Sequence, residues 1–376
     1  MHCTGQKLKL TPLFTNCYGE SMGLRSFIAK RLVNSVILLL LVIIANYVIF
    51  MRMPGDPGAF LMAAWSKESA EQRQAHEDAL NQMWGLNDPW YLQLYKYTRN
   101  LLSWNFGVEI AGRRPIGAIM SEKVQYTILL LGLSTVLSII IGVVLGILVI
   151  QRRGSFWDTL SVVTSLIIGS LPTFWIGLIL LWVFSGSLKW FPGAHAYPES
   201  WAVFGTPVPY TRNMAYSSDA FKMIFSLNFA QTWELIWGYI SHLILPLTTL
   251  TIFSFGSWLL LTRATMLETI TEDYIVTARA KGLSERSILY KHAFKNASLP
   301  IITSAAMAFG FVISGAIITE TVFSYPGIGG WIWEAIEYRD YPVLMAVFYV
   351  ISICVIVANI VADLLYGVID PRIKYG

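Results

Sequence analysis

Six long apolar segments, separated by polar stretches, constrain the fold of this chain more than any other feature. Each holds at least 19 residues with almost no charge, which is about the length that an α-helix needs to cross a membrane. The segments are 32–50, 124–150, 160–188, 243–261, 298–319 and 343–365. Hydrophobic residues make up 55% of the chain and charged residues only 13%, whereas soluble domains carry about 25% charged residues. The sequence therefore predicts an all-α membrane protein with six transmembrane helices.

The distribution of basic residues predicts how these helices are oriented. Five basic residues precede the first apolar segment, namely Lys7, Lys9, Arg25, Lys30 and Arg31. The short loop at Arg152 and Arg153 and the polar segment 271–300 are also basic, whereas 320–342 holds only Arg339. Short basic loops of membrane proteins lie on the cytoplasmic side. We therefore expect both termini and these two loops to be cytoplasmic.

The alternation of apolar and polar stretches divides the chain into three parts. We predict a cytoplasmic N-terminal segment over 1–31, a first helix with an extracytoplasmic helical segment over 32–123, and a core membrane domain over 124–376. The core contains an outer insert at 189–241 and a cytoplasmic loop at 263–297. The insert is rich in aromatic residues, which suit either the membrane interface or stacking against a ligand.

Two helices are expected in the extracytoplasmic segment. Residues 66–82 are rich in Glu, Gln and Ala and are typical of a surface helix. Asp88 and Pro89 predict the start of the second helix, with Asp88 as N-cap and the proline at the first helical position. Helical spacing places three apolar side chains on one face, those of Leu94, Tyr97 and Leu101. We expect this face to lie against the protein or the membrane surface.

Small residues and a proline mark places where helices pack closely or bend. Gly142 and Gly146 form a small-xxx-small pair, which allows two helices to approach closely. Pro172 interrupts the third apolar segment and is expected to kink its helix, either for packing or to shape a pathway. The fifth segment is rich in small residues, including Gly310 and Gly315, and such a helix packs closely or lines a central path.

Asp363 is an ionisable residue near the end of the sixth apolar segment. It either reaches the membrane interface or serves as a functional partner inside the bundle. The candidates for a pathway or gate are therefore Pro172, Gly310, Gly315 and Asp363.

The polar segment 271–300 has the pattern of two helices joined by a tight corner. Thr271 is a candidate N-cap, followed by two acids in the first turn, where the helix dipole favours negative charge. Gly282 is placed as the left-handed residue that ends the first helix. Ser284 then caps a second helix that opens with Glu285. The corner at Ala278, Ala280 and Gly282 has almost no side-chain bulk, so we expect another protein surface to approach it.

Signatures of catalysis, metal binding and cofactor binding do not occur in productive contexts. The sequence has no Gly-Lys dipeptide and hence no Walker A motif, and it has no HExxH motif. GxSxG occurs once, at 19–23, in an irregular stretch where the strand and helix that the motif needs are not expected. The three cysteines are too scattered for a metal site, and the five histidines are isolated. We expect no catalytic, cofactor or metal site, so the energy for any active transport must come from a partner.

Six stretches together carry a resemblance to a known family. They are RMPGDP (52–57), SLPTFWIG (170–177), HLILP (242–246), DYIVTARAKGLSERSILYKHAFKNASLP (273–300), ETVFSYPGIG (320–329) and DPRI (370–373). In this order, over 25–376, the chain resembles the ABC transporter permeases of binding-protein-dependent importers, in particular the dipeptide/oligopeptide branch. The stretch Thr277-Ala278-Arg279-Ala280 departs from the Glu-Ala-Ala that begins the loop in the broader importer group, which favours the peptide branch.

The resemblance implies a type I ABC importer permease fold whose cytoplasmic loop acts as a coupling helix for an ATPase. The docking positions carried onto this chain are Asp273, Tyr274, Ala278, Arg279, Ala280, Lys281, Gly282, Leu283 and Ser284. The implied partners are a second homologous permease, two cytoplasmic ATPase subunits that hold ATP and magnesium, an extracytoplasmic solute-binding protein and the lipid bilayer. The implied location is a prokaryotic plasma membrane.

The solute and the class of protein have alternatives at this point. Peptides are the first expectation from the resemblance, oligosaccharides the second because the insert 189–241 is long and aromatic, and nickel complexes the third. An ion channel or an intramembrane enzyme is a different class, but an enzyme needs convergent ionisable groups within the spans, where only Asp363 stands out. A basic loop tethered between two spans is poorly placed to enter a DNA groove, so nucleic acid is not an expected partner.

Overall fold

The computed structural model describes residues 24–51, 88–110, 114–196 and 229–369, together with isolated positions between 69 and 85. The helices used below are α1 Leu24–Met51, α2 Trp90–Leu102, α3 Ile116–Gln151, α4 Phe156–Ser170, α5 Thr173–Ser187, α6 Phe229–Ile270, α7 Asp273–Ala280, α8 Glu285–Ser314, α9 Ile317–Val322, α10 Ile328–Glu337 and α11 Tyr341–Ile369. Over the described residues, the strand-like pairing is one isolated bridge between Val108 and Pro115.

Five helices are long and apolar enough to cross a membrane, and one bent pair adds a sixth candidate among the described residues. The five are Lys30–Phe50, Ile116–Gln151, Ile236–Ile270, Glu285–Ser314 and Tyr341–Ala362. The bent pair consists of α4 and α5, whose axes differ by 96°. This mostly helical architecture with five to six candidate spans confirms the predicted all-α membrane fold.

The third apolar segment forms two helices at a sharp angle, whereas the sequence predicted one kinked helix. Leu171 and Pro172 separate α4 from α5, and both have extended backbone, with ψ of 139° and 136°. A proline has no N–H for the helix and also disfavours helical backbone in the residue before it. In this chain both positions leave the helix, so the interruption is a complete break.

The first half of this bent pair begins at Phe156, earlier than the predicted residue 160. Ser155 has extended backbone and its hydroxyl accepts a hydrogen bond from the backbone N–H of Asp158 at 3.4 Å. This side-chain cap satisfies one of the free amides at the start of the helix. The helix therefore gains one more turn, residues 156–159, before the predicted apolar run.

α3 and α6 pack closely through the two glycines that the sequence singled out. A Cβ atom at Gly142 would collide with Trp258 and lie 2.6 Å from the carbonyl oxygen of Phe255. A Cβ atom at Gly146 would lie 2.7 Å from the Cβ of Thr262. Because even a methyl group does not fit, the glycines set the distance between these two helices, and the predicted close packing is confirmed.

The fifth candidate span is longer than expected at its polar end and shorter at its other end. It runs over Glu285–Ser314, whereas the sequence predicted 298–319. Gly315 ends it with φ of +77°, and a Cβ atom there would lie 2.7 Å from the amide nitrogen of Gly329. Only glycine fits such a left-handed position against another backbone. α8 is therefore one continuous helix from the polar segment to the break at Gly315.

α2 is amphipathic and packs onto one end of the bundle. Tyr97 and Leu101 are fully buried and Leu94 is partly buried, which confirms the predicted apolar face. They join a cluster with side chains of α1, α10 and α11, in which the rings of Tyr47 and Tyr97 lie 5.9 Å apart. The end of the bundle that carries α2, α9 and α10 is called the hairpin end below, and the end that carries α7 is called the loop end.

The start of α2 lies one position later than predicted. Pro89, rather than Asp88, occupies the N-cap position, and α2 begins at Trp90. Asp88 instead forms an ion pair with Lys96, with 2.6 Å between Oδ2 and Nζ. Most of the expected helix 66–82, most of the insert 189–241 and both termini lie outside the described residues.

Candidate functional site

The polar segment that follows α6 contains the short helix α7 and leads directly into α8. Thr271 was predicted to cap α7, but its hydroxyl donates a hydrogen bond to the carbonyl oxygen of Glu268 at 2.7 Å and so closes α6. Threonine hydroxyls readily bond back to a carbonyl three or four residues earlier. Glu272 holds the N-cap position of α7 without a side-chain capping bond. Asp273 lies in the first turn, as predicted.

Gly282 is the left-handed residue that ends α7, as predicted, with φ of +75°. Its N–H donates a hydrogen bond to the carbonyl oxygen of Arg279 at 2.9 Å, and the N–H of Leu283 donates to that of Ala278 at 3.4 Å. This pair of bonds is a Schellman motif, which satisfies carbonyls at the end of a helix. The corner between α7 and α8 therefore has a defined backbone geometry.

One side-chain contact caps the start of α8, and a second holds α7 against it. The hydroxyl of Ser284 accepts a hydrogen bond from the N–H of Ser287 at 3.4 Å, so the predicted cap of the second helix is confirmed. The guanidinium of Arg279 forms an ion pair with Glu285, with 2.9 Å between Nε and Oε1. Arg279 therefore already has an acidic partner inside the chain.

An apolar cluster under α7 ties the polar segment to three long helices. Its buried members are Ile150 of α3, Met266 and Ile270 of α6, Ile275 and Ala278 of α7, and Ile288, Ala293 and Ala297 of α8. At its edge, Nδ2 of Asn296 donates to the hydroxyl of Tyr274 at 2.7 Å, and Nε2 of Gln151 donates to that of Tyr290 at 2.8 Å. The segment is thus a packed part of the bundle.

The surface of α7 opposite this cluster is exposed. We call it the loop face, and it comprises Asp273, Val276, Thr277 and Ala280. Eight of the nine residues that the resemblance indicated for docking are exposed, namely Asp273, Tyr274, Arg279, Ala280, Lys281, Gly282, Leu283 and Ser284. The ninth, Ala278, is buried, because its methyl group fills the cluster.

Val276 is 58% exposed on the loop face, and sequence reasoning did not include it among the docking residues. A signal for it does exist in the sequence. Ile275 and Ala278 are three residues apart and mark the buried side of α7, so Val276 and Ala280, four apart, share the opposite side. An exposed valine at the centre of a basic loop is a candidate contact for a partner protein.

A partly buried ion pair, with Asp158 buried and Arg263 28% exposed, links α4 to α6 near the loop end. Arg263 donates from Nε to Oδ1 of Asp158 at 2.7 Å and from Nη2 to Oδ2 at 3.0 Å. The backbone N–H of Gly154 also donates to Oδ2, at 2.9 Å. Bidentate arginine–carboxylate pairs are strong and fix geometry. The pair therefore holds the α3–α4 turn and α6 in one register, and sequence reasoning did not find it.

Glu320 forms a buried polar knot at the hairpin end. Its Oε1 accepts hydrogen bonds from the hydroxyl of Thr127 and the N–H of Ala316, both at 3.2 Å, and its Oε2 accepts one from the N–H of Gly330 at 2.9 Å. The Thr127 oxygen in turn accepts from the N–H of Ile328 at 2.7 Å. Burial raises the pKa of the Glu320 carboxyl, and these donors oppose that rise by favouring the charged form.

The predicted pathway residues occupy separate packing positions in the described structure. Pro172 lies in the break between α4 and α5. Gly310 faces α11 so closely that a Cβ atom would collide with that of Ala358, and Gly315 lies against the backbone of α10. The side chain of Asp363 lies outside the described residues. A role for these four residues in a pathway stays a prediction.

The long apolar helices, the bent pair and the packed polar loop together define a multi-pass α-helical membrane protein. A family model described as "Binding-protein-dependent transport system inner membrane component" matches residues 124–375. The chain belongs to this family, as the resemblance in the motifs indicated.

Several relatives match the chain over almost its whole length. A dipeptide transport system permease protein, DppB, of Alkalihalophilus pseudofirmus is 35% identical over 93% of this chain and 99% of its own length. An oligopeptide transport system permease protein, AppB, of Bacillus subtilis is 33% identical over the same shares. A di/tripeptide transport system permease protein of Pseudomonas aeruginosa is also 33% identical, again over 93% and 99%.

Proposed function

We propose that this chain is the permease subunit of an ATP-driven ABC importer and forms half of a pathway for dipeptides or oligopeptides. The observation that carries the proposal is the packed loop, in which α7 rests on α3, α6 and α8 and exposes the loop face. The peptide class is supported by the names of the relatives, which refer to dipeptide, oligopeptide and di/tripeptide transport. Oligosaccharides, nickel complexes, and a channel or enzyme function have no comparable support.

The partners in this proposal supply what the chain itself lacks. Two cytoplasmic ATPase subunits bind ATP and magnesium, and one of them contacts the loop face and the exposed turn at Lys281–Ser284. A second homologous permease completes the pathway, and a binding protein delivers the solute from the outer side. The loop end and both termini are cytoplasmic, in a prokaryotic plasma membrane, and no nucleic acid takes part.

Movement of the ATPases reaches the membrane through helices that continue into the loop. α6 has 42 residues, which at a rise of about 1.5 Å per residue gives a length of roughly 63 Å. Because the buried cluster fixes α7 to α6 and α8, a displacement of α7 moves both spans. The Asp158–Arg263 pair extends the same movement to α4. The spans then open alternately toward the two sides of the membrane.

Growth on peptides tests the transport function. A strain that lacks this permease and requires one amino acid is supplied with that amino acid only as a dipeptide or short oligopeptide. We expect growth to require both this chain and an active partner ATPase. Uptake of radiolabelled oligosaccharide in place of peptide would contradict the substrate class, and peptide uptake that persists with an inactive ATPase would contradict the energy source.

Two substitutions of Gly282 test the docking role of the loop. A Cβ atom at this position meets nothing within 4 Å, so a side chain acts only through the left-handed backbone. Gly282→Val should disfavour that backbone and weaken capture of the ATPase by the purified permease, because β-branched residues rarely adopt positive φ. Gly282→Asn is the matched control, since asparagine tolerates this conformation. Equal ATPase capture by both variants in a pull-down would count against the loop as the docking site.

A further inference from the structure

A cavity of about 560 Å³ opens at the loop end, between the end of α3 and the start of α8. Its aliphatic lining, called the floor below because Ile150 and Ile270 are buried, is formed by these two residues and Leu289, and the polar side chains of Gln151 and Tyr290 also line the cavity. These side chains come from α3, α6 and α8, so the cavity lies where three long helices meet. A floor of this kind suits the hydrocarbon part of an amphipathic ligand.

The rim of the cavity carries an excess of positive charge. Arg279 and Glu285 both line it and neutralise each other through their 2.9 Å ion pair. Arg153 and Arg286 also line it, and within the described part of the chain neither guanidinium forms an ion pair or a side-chain hydrogen bond. Two guanidiniums without a partner among the described residues therefore face a cavity with an apolar floor, which is a complementary environment for an anion with a hydrophobic portion.

The depth of the cavity along α3 places it at a membrane surface. The exposed apolar side chains of α3 run from Ile128 to Leu148, which spans about 30 Å of helix and equals the hydrocarbon thickness of a typical bilayer. Arg153 follows within about two helical turns of the last of them. Phe156 and Trp157 come next, and 72% and 57% of their surfaces are exposed. Exposed aromatic residues beside basic ones are typical of the headgroup level.

We propose that this cavity binds the headgroup of an anionic phospholipid. The phosphate accepts hydrogen bonds from the guanidiniums of Arg153 and Arg286, and the glycerol and first acyl carbons lie on the aliphatic floor. Arginine offers two parallel donors that match phosphate oxygens, and basic pockets between transmembrane helices are suited to anionic headgroups. The bound lipid bridges the α3 end and the α8 start, so it adds a contact to the same packed loop that carries α7.

Two other anions share part of this chemistry. Free inorganic phosphate provides the same oxygens but leaves the aliphatic floor uncovered. An acidic side chain of a partner protein, such as the ATPase proposed to lie against the neighbouring turn Lys281–Ser284, provides a negative charge but also leaves the aliphatic floor uncovered. The phospholipid alone satisfies the cationic rim, the apolar floor and the membrane depth together.

Lipid binding to the purified full-length chain in detergent tests this site. Native mass spectrometry counts bound phosphatidylglycerol and phosphatidylcholine during separate titrations, with and without added inorganic phosphate. We expect the chain to retain one phosphatidylglycerol more tightly than phosphatidylcholine. The double variant Arg153→Gln/Arg286→Gln should weaken that binding by about tenfold, because each basic residue near a membrane surface contributes substantially to anionic lipid binding.

The matched control is Arg152→Gln/Lys291→Gln, which removes the same charge at two exposed positions that do not line the cavity. It should leave phosphatidylglycerol binding within about twofold, since only the general field of the protein changes. Arg153→Lys/Arg286→Lys should restore part of the affinity, which guards against a folding defect.

Three results would overturn the proposal. The first is equal retention of the two lipids by the unsubstituted chain, which needs no variant to fold. The second is full displacement of phosphatidylglycerol by equimolar inorganic phosphate, which would indicate a simple phosphate site. The third is a cavity variant that keeps its lipid but loses ATPase capture, which would assign these arginines to the partner protein. None of these results depends on whether the transported solute is a peptide.

Discussion

Glu320 is an acid with no exposed surface. Its carboxylate accepts hydrogen bonds from the Thr127 hydroxyl and from two backbone N–H groups, and an apolar residue in its place would leave these donors without an acceptor. Its two oxygens join the break after α8, the start of α10 and Thr127 of α3. Gly327 lies so close that a Cβ atom there would collide with the carboxylate. At the scale of the residue, this knot fixes the relative position of three chain segments by one side chain.

Removal of the Glu320 carboxylate should destabilise the protein more than removal of an exposed carboxylate. Glu320→Ala leaves three donors without an acceptor, namely the buried hydroxyl of Thr127 and the partly buried amides of Ala316 and Gly330. We expect the free energy of unfolding to fall by about 2–4 kcal/mol. Glu337 is an exposed acid on the neighbouring α10, and Glu337→Ala should change it by less than about 0.5 kcal/mol. Thermal unfolding in detergent measures both, and equal melting temperatures would contradict the role of the knot.

At the scale of the element, two contacts set how α6 is held. On one side, Gly142 and Gly146 bring α3 against it without intervening side chains. On another, the Asp158–Arg263 pair attaches the first turn of α4. The first contact requires that the glycines have no side chain, and the second requires two opposite charges. The stability of each contact should therefore change with different substitutions.

Two glycine-to-alanine substitutions in α3 should differ in their effect on stability. Gly142→Ala places a methyl group into Trp258 and should cost about 1–3 kcal/mol of stability through overpacking. A Cβ atom at Gly132 meets only Ile128 of its own helix, at 4.0 Å. Gly132→Ala should therefore be neutral or stabilise by up to about 1 kcal/mol, because alanine favours the helix. Melting temperatures that shift in the same direction would argue against the close contact.

A double-mutant cycle measures the ion pair between α4 and α6. Asp158→Ala leaves the Arg263 guanidinium without its acceptor, and we expect a loss of about 2–4 kcal/mol. Arg263→Ala should also destabilise, and the double variant should be less unstable than the sum of the single variants by about 1–2 kcal/mol. Strict additivity of the three unfolding free energies would show that the two side chains do not interact.

At the scale of the whole molecule, the loop end and the hairpin end are joined by one continuous helix. α8 starts at Glu285 beside α7 and ends at Ser314, just before Gly315 meets the backbone of α10. The two ends of the bundle are therefore mechanically connected without an intervening turn. A partner bound at one end can act on the other through α8.

A charge on the loop face should weaken binding of the ATPase at the loop end. Val276→Asp places a carboxylate at the centre of the exposed face and should reduce ATPase capture at least about tenfold, because a buried unpaired charge is costly at an interface. Ile336→Asp is the matched control, since Ile336 is 52% exposed at the hairpin end. It should leave ATPase capture unchanged. Equal losses in quantitative pull-downs would indicate a general defect of folding.

The sequence predicted the spans well because their signal is local. Length and apolar character within each segment suffice to recognise a membrane helix, and the caps at Gly282 and Ser284 follow from residue types within one turn. The break at Pro172 was recognised as an interruption, but its 96° angle depends on how the two halves pack onto α6 and the hairpin end.

The contacts that organise the site were harder to predict because they join distant residues. Asp158 and Arg263 are separated by 105 positions, and Thr127 and Glu320 by 193. Neither pair has a spacing that a helix or turn could reveal. Ala278 was predicted as an exposed corner because small side chains suit both a docking surface and a buried contact, and only the position of Ile288 and its neighbours decides between them.

The break between α4 and α5 has a consequence for hydration. Each helix end leaves backbone carbonyls or amides without partners inside the helix, and hydrocarbon offers them none. Leu171 and Pro172 place two such ends side by side in the middle of an otherwise apolar segment. The backbone at Leu171 and Pro172 must therefore face protein or water. A lipid tail cannot cover this part of the bundle without leaving polar backbone groups unsatisfied.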